Sequence, residues 1–182
     1  MRIMIASDIH GSAKYCRAML DRYEKEKAGR LLLLGDLLYH GPRNDLPEEY
    51  APKQVIEMLN ALKDEIFCVR GNCEAEVDQM VFDFPVLADY ALMPLGNRVV
   101  IITHGHTWNK SHLPPVNAGD ILLQGHTHVP ACEDCGGTVC LNPGSVSIPK
   151  NGTPHSYMIL DGETFTWKTL DGEAFMRWPA DT

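Results

Sequence analysis

The sequence predicts an α/β fold in which a mixed sheet faces a second sheet and helices lie outside. Two observations support this prediction. The first half of the chain alternates short apolar runs with helical patterns, and strand–helix–strand repetition implies parallel strands with helices packed on them. The second half consists of short strand-like runs separated by Gly-Asn, Gly-Gly and Asp-Gly turns. Its strands are therefore expected to form hairpins, which supply the second sheet.

The first half contains three predicted strands and two predicted helices. Short apolar runs predict strands at Arg2–Ala6, Leu31–Leu34 and Ile66–Val69. Apolar residues at helical spacing predict helices at Ser12–Lys27 and Lys53–Leu62. The apolar face of the first helix is expected to consist of Tyr15, Ala18, Met19 and Tyr23. The second helix follows Pro52, and proline suits the first turn of a helix.

The second half is predicted to contain two hairpins, a single strand between them and a C-terminal meander. The hairpin strands are Ala88–Met93 with Arg98–Thr103 and Ala131–Cys135 with Thr138–Leu141. The single strand is Asp120–Gln124, and the meander strands are Tyr157–Leu160, Thr164–Leu170 and Ala174–Trp178. The long irregular stretch from Gly35 to Pro52 is expected to be functional, because loops of that length in compact domains tend to be.

Length and composition predict one soluble, cytoplasmic domain over residues 1–182. Apolar residues make up 45% and charged residues 22% of the chain, which is ordinary for a globular protein. The net charge of −8, without a run of Lys and Arg, argues against nucleic acid as a partner. No apolar run reaches membrane-spanning length, and the N-terminal segment lacks the pattern of a signal peptide. The six scattered cysteines do not suggest a secreted disulfide framework.

Seven residues that can bind metal follow predicted strands at the points where the strands end. They are Asp8, His10, Asp36, Asn72, His104, His126 and His128. The carboxyl ends of strands line the ligand crevice in sheets of this kind, so these side chains can converge. Glycine accompanies each group, at Gly11, Gly35, Gly71, Gly105 and Gly125. It permits the tight turn that aims a short side chain into the cleft.

The ligand types indicate two divalent metal ions. Imidazole and carboxylate together suit manganese, iron, zinc or nickel better than calcium or magnesium alone. Seven ligands exceed what one ion takes while a position stays open for substrate, so two ions that share one carboxylate are the natural division. Two such ions, about 3.5–4 Å apart, can hold a hydroxide nucleophile and both oxygens of a phosphoryl group. Two divalent ions and two aspartates leave the site net positive, which suits a phosphate ester.

Five blocks, in this order along the chain, resemble the signature of the calcineurin-like metallophosphoesterase superfamily. They are Asp8-Ile9-His10-Gly11, Gly35-Asp36, Gly71-Asn72-Cys73-Glu74, His104-Gly105-His106 and Gly125-His126-Thr127-His128. More narrowly, the chain resembles the bacterial YfcE-type phosphodiesterases. That resemblance is carried by His40-Gly41-Pro42-Arg43-Asn44, Gly71-Asn72-Cys73 and Asn142-Pro143-Gly144-Ser145-Val146-Ser147.

The resemblance implies a fold, an activity and a set of ligand roles. The fold is a four-layer α/β/β/α sandwich with two mixed sheets flanked by helices. The activity is manganese-favoured hydrolysis of a small phosphodiester by metal-bound hydroxide. One metal would be held by Asp8, His10 and His128, and the other by Asn72, His104 and His126. Asp36 would bridge the two.

Two other functions remain alternatives to the phosphodiesterase. One is a phosphomonoesterase that uses the same site. The other is a non-catalytic protein-interaction scaffold of the same fold, although none of the seven ligands is missing from this chain. A homodimer or a homotetramer is included among the expected assemblies.

The candidate catalytic residues are Asp36, Asn72, His40 and Arg43. Arg43 is expected to contact phosphate oxygens and His40 to face the cleft as a proton donor, with solvated loop residues as the alternative for both. The broad superfamily usually has a histidine at the position of Cys73. The YfcE-type subgroup, like this chain, has a cysteine there. A thiol titrates about two units above imidazole, so the general acid is left open.

Three further features are expected to play smaller parts. His106 is predicted to line the site without binding metal. Trp108 is predicted to lie in a loop over the cleft rim. Cys132 and Cys135 form a Cys-x-x-Cys pair, but residues three apart in a strand point to opposite faces, so no metal site is predicted there.

Overall fold

Eleven strands and three helices make up the structure, a computed structural model that describes residues 1–179. The strands are β1 (Ile3–Ala6), β2 (Arg30–Leu33), β3 (Ile66–Cys68), β4 (Ala91–Leu95), β5 (Arg98–Ile102), β6 (Ile121–Leu123), β7 (Ala131–Asp134), β8 (Val139–Asn142), β9 (Ser156–Asp161), β10 (Thr164–Thr169) and β11 (Ala174–Trp178). The helices are α1 (Ala13–Glu26), α2 (Pro52–Asn60) and α3 (Glu76–Gln79).

The strands form two mixed sheets. The first has the order β11-β10-β9-β1-β2-β3, in which β1, β2 and β3 are parallel and the C-terminal strands are antiparallel. The second has the order β4-β5-β6-β8-β7, with parallel pairing from β5 through β6 to β8 and antiparallel strands at both edges. The predicted fold class, with its hairpins and C-terminal meander, is therefore confirmed.

The central strands are buried on both faces, which explains why they read as continuous apolar runs. In β1, Met4 and Ala6 belong to the hydrophobic cluster under the helices, whereas Ile5 belongs to the cluster between the two sheets. In β2, Leu31 and Leu32 divide in the same way. Because side chains alternate along a strand, one apolar run supplies both layers of the core.

Helix α1 covers the outer face of the first sheet. It begins after Ser12, whose hydroxyl accepts a hydrogen bond from the Tyr15 amide at 3.3 Å, as expected of an N-cap residue. Its buried face consists of Ala13, Cys16, Met19 and Tyr23. The predicted face is confirmed for Met19 and Tyr23 but wrong for Tyr15 and Ala18, which are only partly buried. Ala13 and Cys16 take their places in the buried face.

A loop rather than a helix covers the outer face of the second sheet in the part of the chain that the structure describes. There Leu113 and Val116 pack on Ile101, Leu122 and Cys140. Helices are thus few in residues 1–179, and α1 and α2 are the ones that pack on the first sheet. Within residues 1–179 no helix combines the length and the apolar character needed to cross a bilayer.

One detail of the predicted second half is wrong and another is confirmed. The predicted strand Ala88–Met93 is displaced, because β4 runs from Ala91 to Leu95 and pairs Leu95 with Arg98 across the turn. The Ala88 carbonyl instead accepts the Arg70 amide at 2.8 Å, which ties it to the end of β3. Cys132 packs with the inter-sheet cluster and Cys135 with the outer cluster, so their opposite orientation is confirmed.

Candidate metal centre

The predicted ligands converge at the edge where the parallel strands of both sheets end. Their carboxylate and imidazole atoms form two groups, each with all candidate ligand atoms within 4.8 Å of one another. The first group is Asp8, His10 and His128, and the second is Asp36, His104 and His126. Asn72 adjoins the second group, with its Oδ1 3.2 Å from Nε2 of His104. All seven predicted residues are therefore brought together.

Asp36 lies between the two groups. Its Oδ2 is 3.4 Å from Nε2 of His104, a member of the second group, and 3.8 Å from Nε2 of His10, a member of the first. The side chain is almost completely buried. A carboxylate in this position can contact cations in both groups.

Three of the histidines are held in a fixed orientation by backbone carbonyls. Nδ1 of His10 is 2.7 Å from the carbonyl oxygen of Tyr39. The corresponding distances are 2.6 Å for His104 to Leu34 and 2.6 Å for His128 to Ile148. Since a carbonyl only accepts, each Nδ1 is the donor and each Nε2 points into the cluster, an arrangement typical of metal-ligating histidines.

The contacts inside the cluster fit cations. Nε2 of His10 faces Nε2 of His128 at 3.2 Å, and Nε2 of His104 faces Nδ1 of His126 at 3.2 Å. Two neutral imidazoles cannot both accept at such a contact, whereas an ion between them would bind both lone pairs. The buried Oδ1 of Asp8 also has no hydrogen-bond partner, and buried polar atoms of this kind call for an explanation. The residues therefore suit divalent ions.

The two aspartates make the site favour positive charge, whether a metal ion or a protonated imidazole carries it. Burial alone would lower the pKa of His104, but its contacts with Asp36 and Asp8 raise that pKa to about 9. Burial, together with the neighbouring His104, lowers the pKa of His126 to about 4. Burial would raise the pKa of Asp8, yet His10 and His128 hold it well below its usual value. Burial would also raise the pKa of Asp36, but its contact with His104 lowers it. Both aspartates are therefore ionised at neutral pH and available as ligands.

Most of the predicted ligands adopt left-handed backbone conformations, which glycine rather than other residues normally occupies. The φ angles are 61° for Asp8, 49° for His10, 56° for Asp36, 68° for His126 and 62° for His128. Such strain persists only where surrounding contacts enforce it, and it clusters at functional sites. Ser145 and Ser147 supply such contacts, because their hydroxyls donate to the Asp8 carbonyl at 2.9 and 3.0 Å.

Two of the neighbouring glycines serve close approach rather than turn formation. A Cβ on Gly71 would lie 2.1 Å from Oδ1 of Asp36, and a Cβ on Gly125 would lie 2.0 Å from Oγ of Ser7. Neither glycine has a left-handed φ. The tight-turn role expected for every glycine is therefore wrong at these two positions, where any side chain would collide with the site.

Glu74 is a buried carboxylate that supports Asp36, a role that the sequence analysis did not assign. It accepts hydrogen bonds from the backbone amides of Asp36 at 2.9 Å, Leu37 at 2.7 Å and Gly71 at 2.6 Å. Burial, followed by the nearby Asp36, raises its pKa. The Gly-Asn-x-Glu spacing was the available signal, since it places Glu74 three residues after Gly71.

A narrow cleft of about 40 Å³ opens over the ligands. Arg43 lines it, as predicted for a phosphate contact, and so do Asn44 and Lys150, which the sequence analysis missed. Lys150 follows the 142–147 segment by a few residues, and its amide donates to the His128 carbonyl at 3.2 Å. Neither Arg43 nor Lys150 has a side-chain hydrogen bond or ion pair within residues 1–179, so both cations are available to an anion.

The structure corrects the expectation that His40 faces the cleft. Its ring packs edge-on against Tyr39 and Tyr50, with centroids 4.8 and 5.4 Å away. It is not among the residues that line the cleft. Aromatic packing turns the ring aside, so the geometry does not support His40 as the proton donor.

Cys73 holds Asp36 mainly through its backbone. The Cys73 amide donates to Oδ1 of Asp36 at 2.9 Å, and the thiol donates to Oδ2 at 3.4 Å. Burial, followed by Asp36, raises the pKa of the thiol. His10, Asp36 and Cys73 also form a third group of potential ligands, so the sulfur lies beside the cluster.

We predict that Cys73→Ala retains most of the activity of the wild type, because the amide that holds Asp36 remains. The loss should stay below about tenfold, whereas removal of a general acid costs about a hundredfold to ten-thousandfold. The measurement is kcat/KM over a series of diesters with graded leaving-group pKa, where steep dependence is expected without a proton donor. Cys132→Ala serves as the control. A large loss in Cys73→Ala with metal content intact would show that the thiol takes part in the reaction.

Sequence comparison identifies relatives over nearly the whole chain. Residues 1–164 match the calcineurin-like phosphoesterase superfamily domain. The chain is 44% identical over 176 residues to phosphodiesterase YfcE of Escherichia coli strain K12, covering 97% of this chain and 96% of that protein. It is 26% identical to the probable metallophosphoesterase YsnB of Bacillus subtilis strain 168, covering 88% and 83% of the two chains.

Structural comparison gives the same grouping. The structure of YfcE, a phosphoesterase from E. coli, matches with a TM-score of 0.93 and 44% identity, covering 97% of this chain and 98% of that one. A structure of an archaeal phosphodiesterase matches with a TM-score of 0.64 and 22% identity, covering 96% and 98%. At that identity the second match supports the fold alone.

Proposed function

The chain belongs to the calcineurin-like phosphoesterase superfamily of metal-dependent phosphoric ester hydrolases, and from this premise we propose that it is a phosphodiesterase. One observation carries the proposal: two groups of potential ligands meet at the single carboxylate of Asp36. The 44% identical relative that is named a phosphodiesterase supports the choice of a diester.

We assign the ligands to two divalent ions. Asp8, His10 and His128 would hold one ion, Asn72, His104 and His126 the other, and Asp36 would contact both. Manganese is the first choice, with zinc, iron or nickel as alternatives, because mixed imidazole and carboxylate ligands suit these metals. When bound, such a pair supplies a hydroxide nucleophile and neutralises charge on the phosphoryl oxygens.

The residues of the cleft would bind and orient the substrate. A phosphodiester carries one negative charge, which Arg43 can meet through two parallel hydrogen bonds from its guanidinium group. Lys150 supplies a second cation at the rim of the same cleft. Asp36 is fixed by the Cys73 amide and, through its own amide, by Glu74. It would therefore hold the two ligand groups in place relative to each other. The metal-binding side of the cleft would thus be ordered before the substrate binds.

The proposal predicts metal-dependent hydrolysis of bis(p-nitrophenyl) phosphate. Protein treated with EDTA should be inactive, and added Mn²⁺ should restore release of p-nitrophenol. Arg43→Ala and Lys150→Ala should each reduce kcat/KM by about tenfold to a hundredfold, the value of one charge-assisted hydrogen bond. Lys53→Ala, which removes an exposed lysine from α2, is the matched control.

The same assay separates the alternatives. Faster hydrolysis of p-nitrophenyl phosphate than of the diester would instead support a phosphomonoesterase. No hydrolysis of either ester by metal-loaded protein would support a non-catalytic interaction scaffold. A single metal ion at full loading would contradict the two-metal assignment. A cytoplasmic location, a small phosphodiester as substrate and a homodimer or homotetramer are further parts of the proposal.

A further inference from the structure

A second cavity, of about 270 Å³, lies beside the histidine cluster. It shares no lining residue with the cleft that Arg43 and Lys150 line. Its walls are formed by Asp89, Tyr90, Thr103, His106, Thr107 and Trp108. The volume is close to the lower end of the range of small-molecule sites, about 300–1,000 Å³.

His106 places this cavity next to the metal ligands. Its ring centroid lies 5.5 Å from that of His104 and 6.3 Å from that of His126. His106 itself belongs to none of the potential ligand groups. His106 therefore borders both the cavity and the second ligand group, so the cavity is the neighbouring space for a substituent of a phosphoryl group held there.

An aromatic pair forms one wall of the cavity. The rings of Tyr90 and Trp108 have centroids 5.3 Å apart and planes inclined by 52°. Tyr90 is 49% exposed, which leaves part of its ring open to a ligand. Aromatic surfaces of this kind stack on the flat faces of nucleobases.

The segments that carry the pair are ordered by hydrogen bonds. The side-chain amide of Asn109 donates to the Gly105 carbonyl at 3.2 Å, and Asn109 and His112 exchange two backbone hydrogen bonds of 3.0 Å each. On the other side, the Arg70 amide donates to the Ala88 carbonyl at 2.8 Å, just before Tyr90. Binding to such a preformed wall loses little conformational entropy.

The cavity also offers hydrogen-bond acceptors. The carboxylate of Asp89 forms no hydrogen bond or ion pair among residues 1–179, so both oxygens are available to N–H donors. The Thr107 hydroxyl adds a group that can donate or accept. A plain phenyl ring has no partner for these groups, whereas a nucleobase combines a flat face with N–H donors at its edge.

We propose that this cavity binds the base of a nucleoside-containing phosphodiester, with the ring against Tyr90 and Trp108 and its N–H groups toward Asp89. The inference rests on the proposed function, because the phosphoryl group must lie at the histidine cluster. It names the substrate class of that site: a diester in which one alcohol is a nucleoside.

The test compares two ligands that differ only in the base. Adenosine 5′-monophosphate and ribose 5-phosphate are titrated calorimetrically into manganese-loaded protein, so the readout does not depend on hydrolysis. The wild type should bind the nucleotide about fivefold to a hundredfold more tightly, the value of one stacked base. Trp108→Ala should bring the ratio close to one without changing the affinity for ribose 5-phosphate, and Trp108→Phe should preserve most of it.

Tyr90→Ala and Asp89→Asn should each lower the same ratio in part, which keeps the proposal testable if Trp108→Ala does not fold. Phe175→Ala, which removes a 42% exposed aromatic ring from β11, is the control and should leave it unchanged. Equal affinity of the wild type for both ligands, or no binding of the nucleotide, overturns the inference even if bis(p-nitrophenyl) phosphate is hydrolysed. A preserved ratio without hydrolysis of any ester overturns the proposed function instead.

Discussion

Asp36→Asn is expected to reduce kcat/KM for bis(p-nitrophenyl) phosphate by about a thousandfold or more, equal to about 4 kcal/mol of transition-state stabilisation. The reason is the position of Oδ2, which lies within 4 Å of imidazoles from both ligand groups. Asparagine keeps the size of the side chain but removes the charge that two cations would share. The measurement is steady-state kinetics at saturating Mn²⁺, with metal content determined on the same samples.

Arg43→Ala is the comparison for this variant. It removes a cation that lines the cleft but leaves the ligands in place, so its loss should be smaller by at least about tenfold. If Arg43→Ala is as inactive as Asp36→Asn while both retain two metal ions, the ranking of these roles is wrong. If Asp36→Asn has the metal content and the activity of the wild type, the proposal that Asp36 contacts both ions is wrong.

Glu74→Ala is expected to destabilise the fold severely. The substitution leaves the amides of Asp36, Leu37 and Gly71 without their acceptor. Each unsatisfied buried donor costs about 1–3 kcal/mol, and a domain of this kind has about 5–15 kcal/mol of stability in all. Urea unfolding followed by circular dichroism should therefore show a large decrease in the midpoint, or no folded protein.

Two variants test whether the lost acceptor is the cause. Glu74→Gln keeps the volume and one carbonyl oxygen, so its loss of stability should lie between those of Glu74→Ala and the wild type. Glu57→Ala removes an exposed glutamate from α2 and should change stability by less than about 0.5 kcal/mol. A Glu74→Ala protein as stable as Glu57→Ala would show that water replaces the carboxylate without loss.

Much of the fold and of the ligand set follows from local sequence. The apolar runs at β1 and β2 are visible because both faces of these strands are buried, and Asp8 and Asp36 follow them directly. Each ligand block is short and follows a single strand, so the position of that strand's end is enough to place its residues. The assignment of residues 1–182 to one domain and the ligand roles stay predictions.

What the sequence did not reveal depends on contacts between distant segments. His40 turns away from the cleft because Tyr50, ten positions further along the chain, packs against its ring. Lys150 reaches the cleft through a backbone contact with His128, which no spacing rule anticipates. The first residue of β4 is set by pairing with β5 and by the Ala88 contact with Arg70. None of these three features can be predicted from the residues of a single segment.

The left-handed backbone of the ligands bears on how this fold can change over evolutionary time. An L-residue in this conformation costs about 1–2 kcal/mol that glycine avoids. Substitution of His128 or His126 by glycine would thus remove a ligand while relieving strain. A lineage that no longer needs hydrolysis can therefore lose its chemistry one position at a time, with the two sheets intact and their surfaces free to acquire other partners.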